Sequence, residues 1–376
     1  MKIRKIIIDE VIVPAKSGTI NSPELDRPLH KLPIAGSPGW SKQFDEISKV
    51  ILQVELDNGV IALGECYRGH DWPTLDAIAK SLIGQSLKAI NRQSLPIGLY
   101  REYDGFECAI WDGYAKSHDL PLVDLLGGAV RERVLVSAWT GHRTISEMGD
   151  LAVRFAEQGF NCWKLKCDLE DDVVAWCATI AEAAPGMGVI LDPNERWETV
   201  AKTKQRIDGL REIGNVLCLE DPIPRYMLND YRDLRSYSSI PIFLHVSLPY
   251  ILHGQRVHDA ISALQNQAVD GFNFNGGLAK FQQLDHIAHA ANLPSWHGSE
   301  VDLGILEAMY IHQSMAAQSC TYPSDIFGRM VRSHDLLKQP LKIEPPYAYL
   351  PDGAGLGVEL DPDAISHYRI RQEIYS

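Results

Sequence analysis

The 376-residue chain is 45% hydrophobic and 23% charged, the balance of a globular protein with one large or two ordinary domains. Its formal net charge of −13 disfavours nucleic acid and anionic membranes as partners, yet leaves room for a small anion wherever a metal ion or a few lysines reverse the field. Seven cysteines without a CxxC predict reduced thiols in a cytoplasmic protein. The opening "MKIRKIIIDEVIVPA" is too briefly apolar for a signal peptide, and no run approaches the ~18 residues of a membrane span.

Residues 1–128 read as an α+β unit. "KIRKIIIDEVIVP" is strand-like. Residues 14–45 form a long polar segment rich in Pro, Gly and Ser, of the kind that serves as a functional loop. "KVILQVELDNGVIALGECY" places two β-rich runs around Asp57-Asn58-Gly59, a hairpin signal. "TLDAIAKSLIG" and "GFECAIWDGYAKSHDLPLVDLLGG" are helical patterns, the second stopped by Gly127-Gly128.

From about residue 132 short β-rich runs alternate with amphipathic helices: "VLVSAW", "CWKLKC", "VILD", "VLCLE", "IFLH", "GFNF", "PSWH" and, more weakly, "QSCTY". Seven or eight such units predict a closed (β/α) barrel over residues 129–334, with a doubly wound sheet as the alternative. The rhythm stops near residue 335, and residues 335–376 are expected to return to the first domain.

Catalytic groups of a barrel sit where its strands end. Here those positions hold Trp139 and His142, Lys164 and Lys166, Asp192, Glu220, His245, Asn273 and Asn275, and His297. Asp192, Glu220 and His245 follow one another at 28 and 25 residues, about one β/α unit each. Alone, Asp192 could cap a helix and Glu220 could pair with a lysine. Together they predict ligands of a divalent ion, Mg²⁺ or Mn²⁺. Lys164 and Lys166 stand two apart on one strand and face the same side. Like charge and burial are expected to lower their pKa and make Lys166 a general base. His297 is expected across the barrel as an acid or base. His286 and His289 read as a solvated helix face. "GAGLG", Gly353–Gly357, does not lie between a strand and a helix start and so is no dinucleotide loop.

These residues resemble the enolase superfamily, and within it the mandelate racemase-like acid-sugar enzymes. "DNGVIALGE", "KLK", "LDPNERW", "CLEDPIP" and "LPDGAGLGVELD" carry the resemblance along nearly the whole chain. It implies an α/β fold, a modified (β/α)7β TIM-like barrel under an N-terminal α+β cap completed by the C-terminal segment. It also implies Mg²⁺, a homo-oligomer and a small carboxylate substrate. Most such enzymes carry Glu where this chain has His245; a galactarate dehydratase-like branch carries His-Val there. An Asp that would orient the seventh-strand histidine is replaced by Asn275, which weakens a two-base racemase.

The resemblance therefore implies loss of a proton α to a carboxylate, followed by β-elimination to a 2-keto-3-deoxy acid. Lys166 would be the base, assisted by Lys164 and His297. The alternatives are a cycloisomerase of an anhydro-sugar acid or sugar lactone, an epimerase or racemase, and a non-catalytic metal and sugar-acid binding protein. A zinc hydrolase comes last, since its early His-x-His is missing. Candidate substrate contacts are Asn194, Trp139, His142, Asn273, Asn275, Arg27, His30, Tyr67 and Arg68.

Overall fold

The computed structural model describes residues 1–25, 47–98, 100–246 and 256–376. The first unit is built from β1 (Ile3–Val11), β2 (Lys49–Leu56), β3 (Ile61–Cys66), α1 (Trp72–Leu82), α2 (Tyr103–Lys116) and α3 (Leu122–Leu125). β1, β2 and β3 pair antiparallel, with the expected turn at Asp57–Gly59 between β2 and β3. Alternation decides the inward face: Ile6, Ile8, Leu52 and Val54 bury against Leu75, Ile78, Phe106 and Ile110 of α1 and α2. Gly64 is needed where β3 meets α2, because a Cβ there would lie 2.3 Å from the Gly105 carbonyl oxygen.

The second unit begins with β4 (Val134–Leu135). It then alternates β5 (Ala138–Thr140), α4 (Ile145–Glu157), β6 (Cys162–Lys166), α5 (Val173–Ala183), β7 (Gly188–Asp192), α6 (Val200–Ile213) and β8 (Val216–Glu220). It continues through α7 (Leu228–Tyr237), β9 (Ile242–Val246), α8 (Arg256–Gln265), β10 (Gly271–Phe274), α9 (Leu278–Ala290), β11 (Ser295–His297) and α10 (Gly304–Ala316). Local signals start and stop these helices. Thr144 and Glu147 form a capping box on α4, and Gly214 ends α6 in the left-handed region at φ 78°.

β5 to β11 make one parallel sheet in sequence order. Cys320 bridges Ser295 of β11, and Ser324 bridges Val136 beside β5, both in parallel sense. The stretch 320–324, overlapping the weakly β-like "QSCTY" of residues 318–322, therefore closes the barrel in the eighth position. Cys162, Ile190, Cys218, Phe243 and Trp296 form its inner layer.

The chain ends with α11 (Gly328–Val331), β12 (Ile343–Glu344), β13 (Tyr347–Ala348), α12 (Pro362–Tyr368) and β14 (Arg369–Tyr375). β12, β13 and β4 form a small antiparallel sheet, and β14 pairs antiparallel with β1, so the tail does return to the first unit. The GAGLG stretch packs on α2, where the Leu356 amide donates to Asp112 Oδ1 at 2.7 Å. Among the described residues no helix is long and apolar enough to cross a membrane. All seven cysteines are buried and free of disulfides.

Buried charge joins cap to barrel. Lys49 Nζ lies 3.1 Å from Glu65 and makes a 2.5 Å contact with Asp302, while Glu65 accepts the Leu303 and Leu306 amides at the start of α10. On α2, Glu107 accepts the Ala279 amide of α9 at 3.1 Å, beside Asp104, which holds Arg256 at 2.7 Å. Burial, then the Asp104 charge, pushes the Glu107 carboxyl from 4.5 up to about 8. The folded state thus keeps a proton that the unfolded chain loses, and stability from this group falls as pH rises from about 4.5 through 8. Glu107→Gln is expected to flatten that part of the Tm-versus-pH curve and to gain on the wild type at pH 8. Superimposable curves would show that Glu107 is ionised in the native protein.

Candidate active site

Period two along each strand places the polar residues at the barrel mouth. Two residues beyond the inner layer of Cys162, Ile190, Cys218 and Phe243 come Lys164, Asp192, Glu220 and His245. Asn273 pairs in register with His245 and joins the same ring. One further step along β6 brings Lys166 above Lys164. Backbone strain collects here too: Asn194, Glu195, Asp221 and Val301 all have positive φ, between 46° and 72°.

Lys164 is buried among carboxylates. Its Nζ lies 2.6 Å from Glu220, 2.7 Å from Asp325 and 3.6 Å from Asp192. Burial works against the ammonium, but Asp325, Glu220 and Asp192 outweigh it and raise the Lys164 pKa well above the ordinary lysine value. This corrects the expected lowering by a like charge: the carboxylates are nearer neighbours of Lys164 than the argument from KxK spacing allowed. Lys166 pairs with Asp192 through Oδ2, and its side chain is 12% exposed at the mouth.

Glu220 is the hub. Oε1 accepts from Asn273 Nδ2 at 2.7 Å and faces His245 Nδ1 at 3.2 Å. Burial opposes its ionisation, yet Lys164 and then His245 hold its carboxyl well below the usual range. His245 Nε2 meets Asn275 Oδ1. Glu220, Asp221 and His245 each offer a ligand atom within 4.8 Å of the others. This buried set of carboxylate and imidazole donors fits a divalent cation. Asp221 is better placed as a brace than as a ligand. Its Oδ1 accepts the His245 amide at 2.9 Å and its Oδ2 takes Arg225 at 2.6 Å. Asp192, the third expected ligand, stands one strand further round, engaged by both lysines.

His297 does not face this ring. Trp296 points into the barrel, so its neighbour His297 points outward, between the rings of Tyr310 (3.9 Å) and Phe281 (4.6 Å). Its Nδ1 meets the Gly298 carbonyl at 2.7 Å and its Nε2 meets Gln313 Oε1 at 2.9 Å. Burial pushes its pKa down to about 4. The residue in phase with the ring is Gly298, where a Cβ would lie 2.3 Å from Asn275 Oδ1 and 2.4 Å from Asn273 Oδ1. The geometry thus corrects the expectation of an acid or base at His297.

The remaining candidates divide. Trp139 faces the mouth and stacks on Phe327 at 4.8 Å, beside Ile20 and Val301. His142 is buried against Asp171, 3.1 Å away, and its amide is fixed by Asn21. The Asn194 amide donates to Asp192 Oδ1 at 3.0 Å, and its side chain is half-buried. Tyr67 and Arg68 bind the cap to barrel loops: the Tyr67 hydroxyl accepts from the Gly276 amide at 3.3 Å, and Arg68 lies 2.6 Å from Glu300. Arg27 and His30, with their segment, lie outside the described residues. His286 and His289 are exposed on α9. Sequence reading missed Asp325. Its signal, an acid three residues after the closing "SCTY" stretch, was obscured because that stretch forms single bridges rather than a strand.

A closed parallel barrel whose mouth carries paired lysines against buried carboxylates, under a cap that both chain ends complete, has the architecture of an enzyme of the barrel class. The chain belongs to the enolase superfamily, in its mandelate racemase and muconate lactonizing branch: residues 147–364 match the enolase C-terminal domain-like family. It is similar to muconate cycloisomerase 1 of Rhodococcus opacus, with 30% identity over 267 residues and 69% of each chain covered. It is 26% identical to chloromuconate cycloisomerase CbnB of Cupriavidus necator, covering 89% of this chain and 85% of that one. The fold matches the crystal structure of an N-succinyl Arg/Lys racemase from Bacillus cereus with TM-score 0.84 and 19% identity, each chain covered in full. It matches 2-chloromuconate cycloisomerase from Rhodococcus opacus 1CP with TM-score 0.82 and 23% identity, covering 99% of this chain and 100% of that one.

Proposed function

We propose that the protein is a cycloisomerase of a small carboxylate, making or breaking a ring C–O bond β to the carboxylate. The observation that carries this is the one-sidedness of the mouth. β6 presents Lys166, whereas β10 and β11 oppose it with Asn273, Asn275 and Gly298. Among the described residues these strands offer no second base facing the ring. Racemisation needs a proton taken from one face and returned on the other. Cycloisomerisation needs one proton-transfer group and an oxygen that stays in the molecule, so no atoms are lost. The similarity to muconate and chloromuconate cycloisomerases supports the same reading over the dehydratase expected from the His245 resemblance.

Asp192, Glu220 and His245 would hold Mg²⁺ or Mn²⁺. Such an ion, when bound, would take the substrate carboxylate and offset the charge that develops on it. In the ring-opening direction Lys166 Nζ takes the α-proton while the β C–O bond breaks; in closure the same ammonium returns it. Lys164 keeps a positive charge beneath the ring, and Trp139 with Phe327 gives the mouth an apolar wall that excludes water.

The test is NMR in D₂O with Mg²⁺. The panel is cis,cis-muconate, chloromuconates, muconolactone, aldonic and aldaric acids, N-succinyl amino acids and dipeptides. A lactone with one deuterium at the α-carbon supports the proposal. A new 3-deoxy methylene beside a 2-keto group would return the reading to a dehydratase, and α-exchange with inversion would make it an epimerase. Metal binding without exchange of any acid would favour the non-catalytic reading.

A further inference from the structure

A crevice opens where the barrel's ring of helices is incomplete. The first strand, β5, is followed by α4, 13 residues long, whereas the eighth position is followed by α11, only four residues long. Residues 16–20 of the cap unit bridge this seam. The Lys16 amide donates to the Val331 carbonyl at 2.7 Å, and Arg143 Nη2, just before α4, donates to the Gly18, Thr19 and Ile20 carbonyls at 2.8, 2.9 and 3.1 Å. The gap that remains has a volume of about 320 Å³, at the lower end of the roughly 300–1,000 Å³ usual for small-molecule sites. Lys16, Arg143, Arg154 and Gln158 give it a polar side, and Phe155 and Met330 an apolar one. No carboxylate is among the described residues that line it.

Three cations thus line one crevice of a chain whose net charge is −13. Arg143 is only 4% exposed. Its Nη2 is taken up by the three carbonyls, a second nitrogen, Nη1, lies 3.6 Å from Glu147, and Nε is buried without a partner. A buried donor left unpaired is costly, so the environment favours an added acceptor. Burial and the nearby Arg154 charge work against the Arg143 guanidinium, with Glu147 opposing them, and its pKa falls below the ordinary arginine value. Arg154 makes no ion pair among the described residues, and its guanidinium lies 5.5 Å from the Phe155 ring. Lys16 Nζ donates to the Arg329 carbonyl at 2.6 Å, which leaves two of its three donors. We propose that this crevice binds a small organic anion, its carboxylate taken by Arg154 and Lys16 beside Arg143 and its apolar body laid against Phe155 and Met330. Arginine forks match a carboxylate, and charge-assisted bonds of this kind are the strong ones. Of the residues placed at the barrel mouth only Trp139 also lines the crevice. The lysines and the expected metal ligands do not, so the site stands apart from the proposed chemistry.

The experiment is calorimetric titration of the full chain, without added metal, with three probes: benzoate, benzamide and inorganic phosphate. Benzamide keeps the ring and removes the charge; phosphate keeps a charge and removes the ring. Benzoate is expected to bind, and each of the others to bind on the order of 10-fold or more weakly. Arg154→Glu should weaken benzoate by on the order of 10-fold or more, and Lys16→Met should weaken it as well. Both side chains are exposed, and circular dichroism melts check that the variants fold. Arg154→Gln removes the same charge without reversing it, should Arg154→Glu disturb α4. Lys166→Ala, at the mouth, is expected to bind benzoate as the wild type does. No heat with benzoate, or benzamide or phosphate binding as tightly, would overturn the proposal. So would an affinity that ignores Arg154 and Lys16, or one lost in Lys166→Ala, which would place the anion at the mouth.

Discussion

Lys166→Ala is expected to cut turnover by about 10²–10⁴-fold, the range that a positioned general base supplies, and to abolish deuterium uptake at the substrate α-carbon. Metal and substrate affinity should change far less. The two lysines differ in what surrounds them. Lys166 reaches the mouth, partly exposed, and touches one carboxylate, Asp192. Lys164 lies beneath it against Asp325, Glu220 and Asp192. Lys164 is therefore a fixed positive charge and Lys166 the group with a path to substrate. Removing Lys164 has a different signature. Lys164→Met leaves three buried carboxylates facing one another, and the loss of a buried ion-pair partner costs about 3–5 kcal/mol. The metal-free variant should melt well below the wild type, whereas Lys166→Ala should melt close to it. Retained α-proton exchange in Lys166→Ala would remove Lys166 from the chemistry. Equal destabilisation by both substitutions would show that the pair is structural.

Much of this ring could be read from the sequence, because two periods coincide. The β/α repeat sets where each strand ends, and alternation within a strand sets which residues face inward. Lys164, Asp192, Glu220 and His245 obey both. His297 obeys only the first: it ends its strand but is out of phase with Trp296, which points into the barrel. Phase counted from the inner layer, rather than polarity at the strand end, separates them. Asp325 escaped for the opposite reason. It follows the one barrel position that makes only bridges, so neither period marks it. Asp221 and Arg225 were invisible as braces because their partners, the His245 amide and Glu195, are distant in sequence. In the cap, Lys49 and Glu65 were equally silent, and Arg68, expected as a substrate contact, is an anchor to the barrel instead. Their role is to satisfy amides and charges of a loop more than 200 residues away, which no local pattern encodes.

His245→Ala should weaken Mg²⁺ and Mn²⁺ binding by more than the roughly 10–100-fold that loss of an outer-shell partner costs. His245 is held as a ligand should be. Its amide is pinned by Asp221, and its two ring nitrogens face Glu220 Oε1 and Asn275 Oδ1, so the ring has little freedom to turn. Alanine would leave Glu220 and Asp192 as carboxylate donors without the imidazole between β8 and β10. The swap His245→Glu discriminates further. A carboxylate adds negative charge and a harder donor, so Mg²⁺ affinity should rise relative to Mn²⁺, whereas imidazole favours the softer ion. Calorimetric titration of each variant with both ions reads the ratio directly. If His245→Ala binds both ions as the wild type does, then His245 only packs between Glu220 and Asn275, and the cation must be held by other groups of the ring. If the ratio shifts in His245→Glu while total affinity is kept, the imidazole sets which metal the barrel prefers, and the geometry of β9 sets where it is held.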